Sequence, residues 1–325
     1  MKIDEISIGA LILTLDSESF IQNTLESIKN ICNQIVVIDT GSIDATPCIC
    51  SRFGCEIHFF QWVDNFSLAR NYGLNFIRTD WIIIIDSDEE LIVDTLINNL
   101  HYFQNKNIGG LQTEIENVLE SNGNNLLSKH KYTRIFRNNK QIKFNGKVHE
   151  QISQSIVDSG FKIIDTNIKI KHFGYINKNQ KKSERNKNLI LVELKDNPED
   201  DWLKYHLAET EFSLGNLTSS KKIFIEIADS IELSKRQKDM IFLRLSQIAL
   251  KQDDLMDIYK YTHFRSEDID IEGLRNFILS LYYLQVNEIA RAYDLLNLIE
   301  VKQSGLVDNN IYNSTLELIK KMMIQ

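Results

Sequence analysis

The stretch Trp81-Ile82-Ile83-Ile84-Ile85-Asp86-Ser87-Asp88-Glu89-Glu90 decides how this chain is read. Four consecutive isoleucines, β-branched and without polar alternation, describe a strand buried on both faces, as in the middle of a parallel sheet. The strand ends in four carboxylates within five residues. Packing does not call for them, because an unpaired buried carboxylate is costly. In open α/β sheets, ligands bind beyond the carboxyl ends of the strands. Acids placed there can hold a hard divalent cation, which in turn can hold a phosphorylated ligand. The segment is therefore the expected active site.

The flanking sequence alternates between two periods. Residues 8–15 read as an apolar strand, and 19–30 as a helix with Phe20, Ile21, Leu25 and Ile28 on one face. A second buried strand spans 34–39, a short helix with Asp44 at its N-cap spans 44–53, and a third strand spans 55–60. A helix over 66–77, preceded by Asp64 and Asn65, leads to the isoleucine strand. This alternation predicts a parallel α/β sheet. Residues 108–119, 131–136 and 163–172 read as strands of an antiparallel extension, with turns or loops at 105–110 and 121–125. Glu89 and Glu90 suit the N-terminus of a helix over 91–103.

A basic polar stretch at 178–187 leads into sequence that reads as helical to the end. Polar turns at Gly215-Asn216, Gln252-Asp253 and Gln285 to Asn287 lie about 34–37 residues apart, near the tetratricopeptide period of 34. The run from Trp202-Leu203-Lys204-Tyr205-His206-Leu207-Ala208 to Gly215 resembles that motif best, and a non-repetitive bundle is the alternative. Residues 304–325 are expected to form a capping helix with a polar outer face. The expected domains are 1–180, catalytic, and 181–325, helical.

Composition narrows the class. At 325 residues the chain is long enough for two domains, and 43% apolar with 25% charged residues is ordinary for a globular protein. A formal charge of -8, from 37 basic and 45 acidic residues, argues against a nucleic-acid surface as the main function. Cys32, Cys48, Cys50 and Cys55 form no CxxC pair and are expected as buried or semi-buried free thiols of a reducing cytosol. No apolar run reaches the roughly 18–20 residues of a membrane span, and Met1-Lys2-Ile3-Asp4-Glu5 is acidic where a signal peptide is basic. A cytoplasmic location is the expectation.

Several residues carry candidate chemistry. Asp86 and Asp88, two apart beyond a strand end, can share one Mg²⁺ or Mn²⁺ and leave sites for diphosphate oxygens. Asp39 ends another buried strand and can accept hydrogen bonds from a base or ribose, or shape the turn Thr40-Gly41-Ser42. Arg70 can bind phosphate bidentately or form a surface ion pair. His149 can join two carboxylates as a third metal ligand, and Glu150 beside it can act as a general base; a structural role suits the pair equally.

Six ordered blocks of this sequence resemble family 2 glycosyltransferases of the GT-A (nucleotide-diphospho-sugar transferase) fold. They are Ile35 to Thr46, Trp62 to Asn71, Asp80 to Glu90, Arg134-Ile135-Phe136-Arg137-Asn138, Gly146-Lys147-Val148-His149-Glu150, and the pair of runs His172-Phe173-Gly174-Tyr175 and Lys181 to Asn186. The similar subgroup carries a tetratricopeptide-like helical domain after its catalytic domain, and includes sublancin-type peptide S- and O-glycosyltransferases that modify Cys or Ser of bacteriocin precursors. The resemblance implies an α/β GT-A domain followed by an all-α domain that binds the acceptor or dimerises. It implies an inverting transfer from a nucleotide sugar, a UDP-sugar by preference, to a peptide or protein acceptor, with Mg²⁺ or Mn²⁺. Asp39 would bind the nucleobase, Arg70 the phosphates, and Asp86, Asp88 and His149 the metal, with Ser87 beside the donor. Glu150 is the preferred base, with Glu89 as the alternative. Related sequences often carry Lys-Asn-Glu after the first strand. Here the run is Leu13-Thr14-Leu15-Asp16-Ser17-Glu18, so Thr14 and Asp16 take that place beside the nucleotide.

Other readings compete. Members of the same family act on cell-surface polysaccharide. Ile-Ile-Ile-Ile-Asp-Ser-Asp also resembles the first motif of haloacid-dehalogenase-type phosphatases, but those carry Thr or Val where this chain has Glu90, and place the motif on the first strand. A tetratricopeptide-type adaptor with an inactive α/β domain is the non-enzymatic alternative.

Overall fold

The computed structural model describes residues 6–121, 124–173 and 180–324. Met1 to Glu5, residues 122–123 of the expected turn, and Gly174 and Tyr175 of the resemblance blocks lie outside them. The chain divides into two compact units, Met1–Val118 with Lys129–Lys178, and Leu119–Ser128 with Asn179–Gln325.

The first unit is built on an eight-stranded sheet in the order β3-β2-β1-β4-β7-β6-β8-β5. The strands are β1 (Ile8–Thr14), β2 (Gln34–Asp39), β3 (Glu56–Phe59), β4 (Trp81–Ile84), β5 (Glu89–Leu91), β6 (Ile108–Ser121), β7 (Asn124–Arg137) and β8 (Lys162–His172). β1 pairs in parallel with β2 and β4, and β2 with β3, so the carboxyl ends of four strands share one edge. The connecting helices are α1 (Ile21–Ile28), α2 (Thr46–Arg52) and α3 (Phe66–Leu74).

The isoleucine run is explained by its two faces. Trp81, Ile83 and Ile85 pack in one apolar layer with Ile21, Leu25 and Ile28 of α1, while Ile82 and Ile84 enter the opposite layer with Ile77, Phe136 and Phe144. Each fully buried isoleucine contributes roughly 1.5–3 kcal/mol.

Several expectations change. Glu89 and Glu90 do not begin a helix. They form β5, which pairs antiparallel with β8 through Glu89↔His172 and Glu90↔Lys171. The helix expected over 91–103 shrinks to α4 (Val93–Ile97) and a 3-10 turn (Leu100–Gln104). Edge pairing satisfies the backbone of the acidic run, and Asn99 closes α4 by donating to Thr95 O and Asn167 Oδ1. Residues 108–110 are strand rather than loop, with a register shift between Ile108 and Gly110, so this glycine pair marks a bulge. The later strands are mixed rather than antiparallel throughout, because β6 runs parallel to β8. Their return connection contains α5 (Ser153–Asp158). Asp44 is not the N-cap residue of α2. Ala45 holds that position, and Asp44 accepts from the backbone N–H of Thr46 and of Glu18. The four cysteines are free thiols, but Cys48 is exposed rather than buried.

The second unit runs from α6 (Gln180–Asp196) through α7 (Asp201–Ser213), α8 (Leu217–Ile227), α9 (Lys235–Lys251), α10 (Leu255–Tyr261), α11 (Ile269–Gln285), α12 (Ile289–Leu296) and α13 (Ile299–Gln303) to α14 (Asn309–Ile324). The expected turns separate α7 from α8, α9 from α10 and α11 from α12. Each holds a left-handed residue: Gly215, Asp253 and Asn287. Asp200, Ser234, Asp254 and Asp268 cap the helices that follow them. α14 is helical as expected, but Ile311, Leu318 and Met323 stand exposed on it, so its outer surface is not simply polar. Among the described residues no helix is long and apolar enough to cross a membrane.

Candidate active site

Thr14 and Asp39 end β1 and β2 as register partners. Asp39 is buried and accepts from the backbone N–H of Gly41 and Ser42 through Oδ1. It therefore shapes its turn, while Oδ2 keeps lone pairs for a ligand. The Thr14 hydroxyl is buried without a hydrogen-bond partner. Beyond these strands the two loops lace together. Asp16 accepts from Ile43 N and donates its own N–H to Ser42 Oγ, Glu18 accepts from Ala45 N, and Thr46 Oγ1 accepts from Ser17 N. Ser17 Oγ lies 2.8 Å from Ser87 Oγ, and Thr24 Oγ1 donates to Ser87 O. Asp16, Asp39 and Ser87 thus belong to one hydrogen-bonded rim, which Thr14 joins through its carbonyl, the acceptor for Thr40 N and Oγ1.

Next to the rim runs an alternating chain of charges. Glu150 Oε1 accepts from Arg70 Nε. Arg70 Nη2 donates to Asp86 Oδ1 at 2.8 Å, and Arg134 Nη2 donates both to Asp86 Oδ2 at 3.0 Å and to Glu89 Oε1 at 2.8 Å. Glu89 Oε2 in turn accepts from the backbone N–H of Asp86. Arg70 comes from α3, Arg134 from β7, and the acids from the end of β4, from β5 and from the loop after Phe144. That loop is tied to α3: Asn71 exchanges two hydrogen bonds with the backbone of Phe144, and Phe66 N donates to Lys147 O. α3 can lie this close to the sheet because a Cβ at Gly73 would meet Leu11 Cδ1 at 2.5 Å and Ile38 Cγ1 at 2.8 Å.

Burial alone would raise the Asp86 pKa, but Arg134 and Arg70 hold its carboxyl far below the usual carboxylate range. Glu89 is the opposite case. Burial, only partly offset by Arg134 and reinforced by the charge of Asp86, pushes it up to about 7. With 1% of its surface exposed and both oxygens engaged, Glu89 is placed to position Asp86 rather than to meet an acceptor. Glu150 keeps Oε2 without a hydrogen bond among the described residues. Glu90 lies opposite Lys171 in the strand ladder, outside the charge chain.

His149 has a left-handed backbone (φ 51°) and sits beside Glu150. Burial pushes its pKa down to about 4, so it is neutral at pH 7, the form a metal ligand needs. The imidazole next to Asp88 is His172, with Nε2 at 3.5 Å from Asp88 Oδ1. Phe173 N also donates to Asp88 O. His172 Nδ1 donates to Asn117 Oδ1 at 2.8 Å. Burial opposes protonation of His172, but the Asp88 hydrogen bond and the charges of Asp88, Glu89 and Asp86 outweigh it and raise its pKa. Arg134, His172 and Asn117 were not assigned roles from sequence. A signal existed for Arg134, a guanidinium next to Ile135 and Phe136 in a strand with a buried face.

The donor set has the hard-ligand chemistry of a Mg²⁺ or Mn²⁺ site, namely ionised Asp86, the Asp88 carboxyl and a neutral imidazole. A carboxylate offers about four lone-pair sites, and the guanidiniums take two at Asp86. The residues therefore fit a divalent cation in chemistry. Among the described residues no three His, Cys, Asp or Glu side chains are already gathered around one point.

Acids, arginines and an open carboxylate gather at the carboxyl edge of the parallel strands of this mixed α/β sheet. Residues 10–170 match glycosyl transferase family 2. The chain accordingly carries a family 2 glycosyltransferase domain of GT-A type and is a glycosyltransferase. It is 27% identical over 304 residues to the SPbeta prophage-derived glycosyltransferase SunS of Bacillus subtilis, covering 86% of this chain and 68% of that protein. It is 24% identical over 300 residues to a TPR repeat-containing protein of Synechococcus elongatus, covering 88% and 73%. The structure of S. aureus TarS 1-349 in complex with UDP-GlcNAc aligns at a TM-score of 0.41 and 14% identity, covering 89% of this chain and 90% of that one.

Proposed function

We propose that this glycosyltransferase moves a sugar, with inversion, from a UDP-sugar to a Cys, Ser or Thr side chain of a peptide such as a bacteriocin precursor. The observation that carries the donor half is the buried Glu150–Arg70–Asp86–Arg134–Glu89 chain beside Thr14 and Asp39. It sets guanidinium charge at the sheet edge where a diphosphate would lie. Thr14 and Asp39 offer a buried hydroxyl and carboxylate to the nucleobase, Asp16 and Ser87 border the sugar nucleotide, and Arg70 takes the phosphates.

In the transfer, the acceptor sulfur or oxygen forms a bond to the anomeric carbon as the bond from that carbon to the diphosphate breaks. The acceptor proton passes to Glu150, whose Oε2 is uncommitted. The electron pair leaves with the diphosphate, where Arg70 stabilises it. Asp86, Asp88 and His149 would hold Mg²⁺ or Mn²⁺, which when bound adds charge stabilisation to the same leaving group. We assign catalysis to residues 1–180 and acceptor binding to 181–325. Helix-pair repeats present extended surfaces suited to peptides, which supports a peptide over a polysaccharide. Four free thiols favour a reducing, cytoplasmic setting.

The test is a panel of nucleotide sugars with Mn²⁺ or Mg²⁺, with and without Cys-, Ser- and Thr-containing peptides, read by mass spectrometry. Hexose added to a peptide and release of UDP support the reading. Release of inorganic phosphate from phosphomonoesters, without sugar transfer, would replace it with the phosphatase reading.

A further inference from the structure

Two donors in the charge chain have no acceptor. Arg70 Nη1 and Arg134 Nε are buried without a hydrogen-bond partner. The Arg70 side chain is 5% exposed and that of Arg134 is 16% exposed. A buried charged donor left without a partner is unfavourable by about 1–3 kcal/mol or more, so such a group calls for an acceptor that the protein itself does not supply. Both guanidiniums are held by the same carboxylate, Asp86, one on each oxygen. Two like charges are therefore gripped side by side, each with N–H groups to spare. Glu150 and Glu89 brace the outer ends. An anion with two or more acceptor oxygens matches that arrangement. A diphosphate carries enough oxygens to answer both of these N–H groups at once.

We propose that Arg134 is a second donor-binding residue, which with Arg70 forms a two-guanidinium site for the diphosphate, and that Asp86 orients both arginines. This rests on the glycosyltransferase reading for the identity of the anion, and the geometry itself does not need a metal ion. Glu89 Oε1 accepts from Arg134 Nη2, and its negative charge competes with the anion for that guanidinium.

Inorganic pyrophosphate is the probe, titrated calorimetrically into the full chain with EDTA present so that no cation carries the binding. Wild type should bind it, Arg134→Ala should weaken binding at least tenfold, and Arg134→Lys should recover only part of the loss, because lysine lacks the Nε–H. Glu89→Gln should bind pyrophosphate at least as tightly as wild type, since it removes a competing negative charge. A purely structural bracket would instead be loosened by Glu89→Gln. Should Arg134→Ala not fold, the Arg134→Lys and Glu89→Gln pair decides the matter alone. Binding in Arg134→Ala or Arg134→Lys within threefold of wild type, weaker binding in Glu89→Gln, or no pyrophosphate binding by wild type would each overturn the proposal. Sugar transfer by a protein whose pyrophosphate affinity ignores Arg134 would leave the glycosyltransferase function standing and remove this inference. Loss of pyrophosphate binding in Arg134→Ala without UDP-sugar turnover by wild type would do the reverse.

Discussion

Asp86→Asn separates the role of the Asp86 charge from that of its shape. The amide is isosteric, so packing is kept, but the shared counter-ion of two buried guanidiniums disappears. One guanidinium can still donate to the amide oxygen, while the other then faces an NH₂ group. At charge separations of about 4 Å and an effective dielectric near 20, each Arg–Asp86 pair is worth roughly 4 kcal/mol before desolvation. Taking Asp86 out of water offsets several kcal/mol of that. Its side chain retains 32% exposure, which screens both terms. The net loss should be about 2–4 kcal/mol, smaller than for an isolated buried pair because Arg70 keeps Glu150 and Arg134 keeps Glu89. At about 2–4 °C per kcal/mol, the unfolding midpoint of the sheet unit should fall by roughly 5–15 °C. Differential scanning calorimetry on the full chain reads this, with the helical unit as internal reference. A sheet-unit midpoint unchanged within a degree would mean that Asp86 is solvated rather than a shared counter-ion, and the charge chain would have to be abandoned as an energetic unit.

Asp88→Ala should abolish sugar-nucleotide turnover in the presence of Mn²⁺ while shifting the melting midpoint by only a few degrees; full activity in a turnover assay would refute the site. Gly273→Ala in α11 should destabilise the helical unit by about 1–3 kcal/mol in urea unfolding, because its Cβ would meet Glu300 O at 2.3 Å and Ser304 Cβ at 2.5 Å. Glu272 gives a pH prediction. Burial opposes its ionisation, but bidentate bonds from Arg275 with help from Ser266 and Arg265 lower its pKa from 4.5 to about 2. A folded value below the unfolded one means its contribution is complete above pH 4.5 and fades as pH falls toward 2. It is worth about 3 kcal/mol, so acid unfolding of the helical unit followed by circular dichroism should move to higher pH in Glu272→Gln.

β1, β2 and β4 were legible because they are buried on both faces and read as apolar runs, while β3, Glu-Ile-His-Phe at the sheet edge, is only half-buried. The helix-pair turns were legible because glycine, asparagine and aspartate are the residues that tolerate the left-handed positions seen at 215, 253 and 287. β5 was not. Three residues carry no period, and only pairing with β8, some eighty residues later, makes Glu89 a strand residue. The acids at 86 and 88 were visible as a cluster. Their partners were less so, since Arg70, Arg134 and His172 reach them over 16 to 84 positions in sequence. Such pairing is decided by tertiary packing, and an arginine beside the apolar residues of a strand is the faint trace it leaves.

The placing of β5 has a consequence for the acidic segment. β4 is the fourth strand of the sheet and β5 the eighth, so four inter-strand steps separate them. Laid flat, that is about 19 Å. The chain from Ile84 to Glu89 reaches at most about 18 Å when fully stretched, and the bond from Glu89 N to Asp86 O shows that it is folded into a turn instead. The far strands must therefore curl back, and the acids lie on a chord that closes the arc. A residue inserted between 85 and 88 would slacken that chord and let the sheet open, even with every carboxylate retained. The length of this segment is under as strict a constraint as its charge.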